Sequence, residues 1–541
     1  MDKTSYSDPA IIDIVNREFI PIRVDTDKRP DVNRRYNLGG WPTTAFLDSK
    51  GQIITGGTYI PPEQLREILR SVIDFYAKNE GRTRSRLERA TLPKGSSGLL
   101  TQQIIRDIST TVAVNFDIEY GGFGFEPKFP QPDALDLSMI RYKFDMESEM
   151  LKIVTRTLDM MGKGGMYDHV ENGFFRYSTT RDWSIPHFEK MAEDNAKLLG
   201  VYLRGYQLTG NSFYKQISQG IVDYICKTLS DQATGGFYGS QDADEKYYGL
   251  NLENRGKQTP PAVDHTFYTN YNALLVSSYL QASTVLNNSA PANFALKTLD
   301  RFIDIWNKAG SIPHYWDGSE NQPRDLLIDM AWLIHALVDA HEHTGGKEYL
   351  QYSVHLADHA IKTLADDEIG GFYDIPVSDT QLGQLAFRDK PIDENSAMSS
   401  ALLRISWLTR DETYQKIAER TLRLYREEYE RYGLMASTYG IALDYLLNGP
   451  VEITIIGSKQ ATRGFVEAAF KVFPARRSIQ QLDPDTDRKK IQTLGYDSSR
   501  SPKAYVCTKK TCGPPASDPG GITALVDQLL SPSNVTRTEI A

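Results

Sequence analysis

Between Gly164 and Asn195 the chain reads GGMYDHVENGFFRYSTTRDWSIPHFEKMAEDN. These 32 residues hold Asp168, His169, Arg176, Trp183, His187, Glu189, Lys190, Asp194 and Asn195. A histidine within reach of a carboxylate can exchange a proton near neutral pH. Pro186 suits a first helical turn. A helix from there places His187 and Glu189 at its N-terminus, where a carboxylate is favoured and an imidazole tends to stay neutral. In this reading His187 is a general acid–base, Glu189 and Asp194 orient it, and Asp168 is a further catalytic candidate. Arg176 polarises a substrate oxygen and Trp183 offers a face to a sugar ring. The same residues fit the bracing of a long loop by ion pairs, and residue type alone leaves both readings open.

Other polar groups are candidates for holding a substrate. Asp242 and Asp244 lie two apart in SQDADE, a spacing that can hold hydroxyls, a cation or a catalytic water. With oxygen ligands alone and no second cluster, no metal is expected. Asn395, in Asp393-Glu394-Asn395-Ser396, opens an Ala-rich helix and is also a natural N-cap. Lys128, Asn272 and His314 stand as lone polar residues. Asp329 sits inside the apolar stretch LLIDMAWLIHALV, where a carboxylate is costly unless paired. There is no Gly-rich phosphate loop, no H-E-x-x-H and no G-x-S-x-G, and no cofactor is expected.

The elements that must position these groups form three regions. The chain has 541 residues, enough for two to four domains. Lys and Arg number 61 against 70 Asp and Glu, a net charge of −9, which disfavours nucleic acid and anionic membranes as partners. No run approaches the ~18 apolar residues of a membrane span. The start, MDKTSYSDPA, has no apolar leader, so a cytoplasmic protein is expected. Residues 1–81 read as helix, strand (Phe19–Asp25), short helix, hairpin, and an amphipathic helix from Pro61-Pro62. In GGWPTTAFLD, Pro42 stands just before a strand, where a cis-proline is expected. Residues 82–98 read as a charged, Gly/Ser-rich linker.

From 99 to 448 a phrase recurs: GGFGFEPKFP at Gly121, GGMYDH at Gly164, GGFYGSQDADE at Gly235 and GGFYDIP at Gly370. A period near 60 residues, with two helical stretches each, predicts six helical hairpins closed into an (α/α)6 barrel. An open solenoid is the alternative. The aromatic after each Gly-Gly is expected at the mouth of the central cavity. Residues 449–541 alternate strand and helix as a small α/β region. Cys507 and Cys512 lie there; they are read as idle or structural, with a reversible disulfide or a metal as alternatives.

GGWPTTAFLD, GGTYIPP, GGFGFEPKFP, GGMYDH, FRYS, WSIPHFEKM, DNAKLL, SQDADE and YVCTKKTC, in this order, resemble the thioredoxin-domain protein family that includes spermatogenesis-associated protein 20 and its bacterial relatives. The resemblance spans nearly the whole chain. It implies a thioredoxin-like domain, a six-hairpin-glycosidase-like barrel related to N-acylglucosamine and cellobiose 2-epimerases, and a small C-terminal region. Against the family pattern, residues 1–81 lack the first thioredoxin strand and the Cys-His-Trp-Cys-His stretch. Phe175 replaces a His, Ala192-Glu193 a Leu-Tyr, and Met330 a Tyr. The expected ligand is a small saccharide, handled by epimerase, isomerase or hydrolase chemistry. The alternative is a redox or protein-binding module, with a protein partner at the thioredoxin-like domain and the barrel as platform.

Overall fold

The side chain of Asp8 accepts the amides of Ala10 and Ile11 and starts α1 (Pro9–Glu18). After it come α2 (Pro30–Tyr36), the antiparallel hairpin β1 (Thr44–Leu47) and β2 (Ile53–Gly57), and α3 (Pro62–Lys78). Ile11, Phe46, Ile60, Leu65, Leu69 and Val72 form the core of this lobe, and the Trp41–Pro42 peptide is cis. In this computed structural model the described residues are 1, 3–79, 92–93, 95, 97–319, 322–378, 382–499 and 501–530. Most of the linker reading, 82–98, therefore lies outside the described residues. Phe19–Asp25 is not a strand: the segment is unpaired, and Ile20 and Ile22 are exposed. β-branched alternation favours a pleated strand only where a neighbouring strand can bond it.

Helices then alternate between an outer and an inner ring. The outer helices are α4 (Gln102–Asn115), α6 (Ser148–Lys163), α8 (Ser212–Thr228), α12 (Ser289–Ala309), α14 (Lys347–Leu364) and α16 (Glu412–Arg423). The inner ones are α5 (Pro132–Asp145), α7 (Ala192–Thr209), α11 (Thr269–Val285), α13 (Leu327–Thr344), α15 (Ile392–Thr409) and α17 (Ala436–Asn448). Two short helices, α9 (Glu245–Tyr248) and α10 (Leu252–Arg255), lie in the loop before α11. Each inner helix packs on its two inner neighbours, and α17 meets both α4 and α5, so the ring closes. The inner helices are buried nearly all round, whereas the outer ones bury one face. The open-solenoid alternative is excluded by this closure.

Short ladders at the rim hold the loops. They are β3 (Tyr177–Ser178) with β4 (Pro186–His187); β5 (Lys190–Met191), β6 (Ser240–Gln241) and β7 (Val263–Asp264); and β8 (Phe267–Tyr268) with β9 (Tyr315–Trp316). The helix expected from Pro186 therefore begins only at Ala192, and His187 and Glu189 stand on extended chain. Helical spacing of Phe188, Met191 and Asn195 was outweighed by the pairing of Tyr177 with His187 and of Lys190 with Gln241.

The last region is a three-stranded sheet, β11 (Arg477–Leu482), β10 (Val451–Ile456) and β12 (Lys503–Cys507), in that order. It carries α18 (Lys459–Lys471), α19 (Arg488–Thr493) and α20 (Gly520–Leu529). Cys507 and Cys512 are joined in a disulfide, correcting the idle reading. This lobe sits on the C-terminal ends of the inner helices: Gln207 donates to Phe470 O, Gln481 to Glu342 O and Gln480 to Leu408 O. Among the described residues no helix is long and apolar enough to cross a membrane.

Candidate functional site at the barrel mouth

The repeated loops explain several conspicuous polar residues. Their true repeat is an Asp followed four to six residues later by Gly-Gly-Phe or Asn-Gly-Phe: Asp117…Phe123, Asp168…Phe174, Asp231…Phe237 and Asp366…Phe372. GGMYDH is thus out of register, and the copy is Asn172-Gly173-Phe174. Each Asp accepts amides two or three residues ahead and shapes the turn. In three copies a buried lysine pairs with the Asp at 2.7 Å and donates to the carbonyl four residues beyond it: Lys128 to Gly121, Lys190 to Asn172 and Lys390 to Gly370. The phenylalanines are buried in the core and do not line the mouth.

An asparagine on the next inner helix locks each of three loops. Asn195 accepts Phe174 N at 2.7 Å and donates to Phe174 O and Met191 O. Asn272 does the same for Phe237 and Tyr268 O, and Asn395 for Phe372 and Pro391 O. Lys128, Asn195, Asn272 and Asn395 therefore have their donors and acceptors committed to the fold, which corrects their assignment to substrate. Asp168 is likewise buried between Lys190 and Arg255, both at 2.7 Å, and belongs to the bracing.

Trp183 is 0% exposed, so it cannot stack on a ligand. Its Nε1 donates to Tyr120 O, and Lys128 Nζ lies 5.2 Å from its ring. Gly122 (φ 72°) touches that ring, and a Cβ there would stand 2.3 Å from Trp183 Cζ2. Gly122→Ala is expected to cost about 2–5 kcal/mol from combined backbone strain and overpacking. Chemical unfolding checks this, and a loss below about 1 kcal/mol would contradict the packing described.

The asparagine locks set a common register for the inner helices. The residue before each is Asp194, Tyr271 or Glu394; the one before that is Glu193, Asn270 or Asp393. On α13 and α5, Asp329 and Asp133 stand in the same first turn. Acidic groups at helix N-termini are electrostatically favoured, and here four of the six inner helices, α5, α7, α13 and α15, bring such a terminus to one rim. Glu193 and Lys197, 2.8 Å apart, lie deep within the ring yet keep 29% and 26% of their side-chain surface open. The helices therefore enclose a polar hollow that solvent reaches.

At its edge His187 stacks on Tyr177, and its Nε2 is 3.6 Å from Glu189 Oε2. Arg176 donates to the same oxygen at 3.0 Å. These contacts, that with His187 first, hold Glu189 below its ordinary value. Burial, reinforced by Glu193 and opposed by Arg176, pushes Asp194 up to about 7. His187, Glu189, Arg176 and Asp194 thus gather at one place, while Asp242 and Asp244 are exposed loop residues, Asp244 capping α9. Asp329 is fully buried and bonds His314 Nδ1 at 2.9 Å.

The first lobe covers the same rim. His314 Nε2 bonds the backbone carbonyl of Asp27 at 2.8 Å, and Lys28 pairs with Asp317 at 2.7 Å. Arg35 grips Asp374 through two bonds of 2.8 and 2.9 Å, and Arg34 pairs with Glu394. Asp27, Arg34, Glu193, Lys197 and Asp133 are not among the site candidates that the sequence offers. Register with Asn195, Asn272 and Asn395 could have found Glu193; nothing local marks Asp27 or Arg34. Among the described residues no group of three or more His, Cys, Asp or Glu is placed to hold a metal ion.

The architecture defines a multidomain protein in which a thioredoxin-like α/β lobe caps an (α/α)6 barrel and a small α/β lobe closes its other end. Comparison with known proteins agrees. The family model Thioredox_DsbH, described as a protein of unknown function (DUF255), matches residues 1–92. The chain is similar to spermatogenesis-associated protein 20: it is 25% identical to the Homo sapiens protein, over 96% of this chain and 84% of that one. With the Mus musculus protein it is 35% identical over 45% of this chain and 34% of that one. Among solved structures a D-mannose isomerase superposes with a TM-score of 0.51 at 11% identity, over 65% of this chain and 99% of that one, which reports on the fold.

Proposed function

We propose that the barrel mouth binds a small saccharide and performs acid–base chemistry on it, as an epimerase, isomerase or hydrolase. One observation carries this: His187, Glu189, Arg176 and Asp194 lie together at the barrel mouth, beside a polar hollow that solvent reaches. His187 moves a proton at the reacting carbon or oxygen. Glu189 orients the imidazole, and Arg176 polarises a carbonyl or ring oxygen. Asp194, half-protonated near neutral pH, is the second proton-transfer group that epimerisation needs. Hydrolysis would instead use Glu189 and Asp194 as its carboxyl pair. The barrel shared with a D-mannose isomerase supports a sugar as the first ligand to try.

The test is a panel of D-mannose, D-glucose, N-acetylglucosamine and cellobiose, followed by NMR for C2–H exchange in deuterated water and for hydrolysis. His187→Ala is expected to lower turnover by about 10²-fold or more. No turnover and no binding of any sugar would remove the reading. A second reading, a protein-docking N-terminal lobe, is favoured by Trp41 and Tyr59, which are 64% and 57% exposed.

A further inference from the structure

The charges at the mouth do not pair off. Arg176 takes Glu189, Lys197 takes Glu193, Arg34 takes Glu394 and, deeper, Arg204 takes Asp136 at 2.7 Å. Arg176, Lys197 and Arg204 are each matched by one carboxylate, and Arg34 also reaches Asp374 at 3.8 Å and Asp389 at 4.0 Å. Asp27, Asp133, Asp194 and Asp393 remain, and among the described residues none accepts a hydrogen bond at its carboxyl or forms an ion pair. They are not scattered. Asp27 feels the charges of Arg176, Glu193 and Glu189; Asp194 those of Glu193, Arg176 and Lys197; Asp133 those of Lys197, Asp393 and Glu193.

Two neutral groups at the same level point the same way. Asn270 is 4% exposed and its Oδ1 has no donor. It occupies on α11 the place that Glu193 holds on α7 and Asp393 on α15. Tyr271, 6% exposed, lies within the field of Glu193, Asp27 and Asp194, and its hydroxyl makes no hydrogen bond among the described residues. A buried acceptor without a donor costs about 1–3 kcal/mol, which a ligand bringing N–H or O–H groups recovers.

We infer that the hollow selects a small polyhydroxylated ligand carrying a positive charge, such as an amino sugar with a free ammonium group, held between Asp27 of the first lobe and Asp133, Asp194 and Asp393 of the barrel. This deepens the proposed function and rests on it. An ammonium group supplies three donors and the missing countercharge. Unbound, Asp27 and Asp194 hold on to protons: burial, reinforced by neighbouring acids and opposed by Arg176, pushes Asp27 up to about 6 and Asp194 to about 7. Asp27 is held at its own carbonyl by His314, itself paired with Asp329, and further along the chain Arg34 and Arg35 tie the same segment to the barrel, so the ligand site needs both lobes.

The experiment compares three sugars on one skeleton, D-glucosamine, D-glucose and D-glucuronate, by titration calorimetry on the full chain at pH 7, with 2-aminoethanol as an amine lacking the ring. D-Glucosamine is expected to bind at least about 10-fold more tightly than D-glucose, and D-glucuronate not at all. Asp27→Asn and Asp393→Asn, each first shown to melt as the parent does, are expected to lose that preference. Equal binding of glucosamine and glucose, tighter binding of glucuronate, or a preference intact in both variants overturns the inference while leaving a sugar site standing. Binding of 2-aminoethanol, lost in Asp27→Asn, with no sugar bound, removes the sugar reading and keeps the charge selection. No binding of any of the four overturns both.

Discussion

Asp194→Asn is expected to make the protein more stable at pH 8 and nearly inactive. The carboxyl titrates near 7 in the folded chain against 3.8 as its ordinary value. Burial and Glu193 disfavour its charge more than Arg176 and Lys197 favour it. Between pH 4 and 7 the folded state therefore binds a proton that the unfolded chain has released, and stability falls as pH rises through that window. Above pH 7 the whole cost is present, at most about 4 kcal/mol at about 1.4 kcal/mol per pH unit. Asparagine keeps the shape and removes the charge, so its gain should be absent at pH 4 and full at pH 8. Urea unfolding at the two pH values reads this directly. The same substitution removes the second proton-transfer group, so sugar turnover should fall about 10²-fold or more. A variant less stable than the parent at pH 8 would show that Asp194 is a paired, stabilising carboxylate and not a strained site group.

Asn272→Leu is expected to unfold much of the barrel despite filling the same space. Asn272 satisfies Phe237 N at 2.7 Å, Phe237 O at 3.0 Å and Tyr268 O at 2.8 Å, all in the dry interior. Leucine leaves the buried amide and the loop carbonyl without partners, at about 1–3 kcal/mol each. The loss, about 3–6 kcal/mol with the loosened Gly235–Phe237 turn, is a large part of the 5–15 kcal/mol that holds a typical domain. A fall in the urea midpoint, followed by near-ultraviolet circular dichroism, measures it. Asn195→Leu and Asn395→Leu should behave alike, because the three locks are built alike. If Asn272→Leu lost ligand binding at unchanged stability, Asn272 would have to be returned to the substrate.

These expectations also divide what was legible in the chain from what was not. The strand-and-helix alternation of both α/β lobes, apart from Phe19–Asp25, and the helical pairing of the barrel follow from spacings of two and of three to four, which are local. A recurring phrase with a period near 60 residues and two helical stretches in each unit pointed to the six hairpins. The helix placed from Pro186 failed because its spacing competes with strand pairs to residues 177 and 241, distant in sequence.

The site divided along the same line. Residue type marked His187, Glu189, Arg176 and Asp194, and these do meet at the rim. Residue type marked Lys128, Asp168, Trp183, Asn195, Asn272 and Asn395 equally strongly, although each is bound up inside the fold. A polar side chain looks the same in sequence whether its partners are carbonyls of its own loop or a ligand. Only folding, by bringing Phe174, Phe237 and Phe372 against the inner helices and Asp27 across the mouth, determines which hydrogen-bonding groups are already satisfied and which remain open.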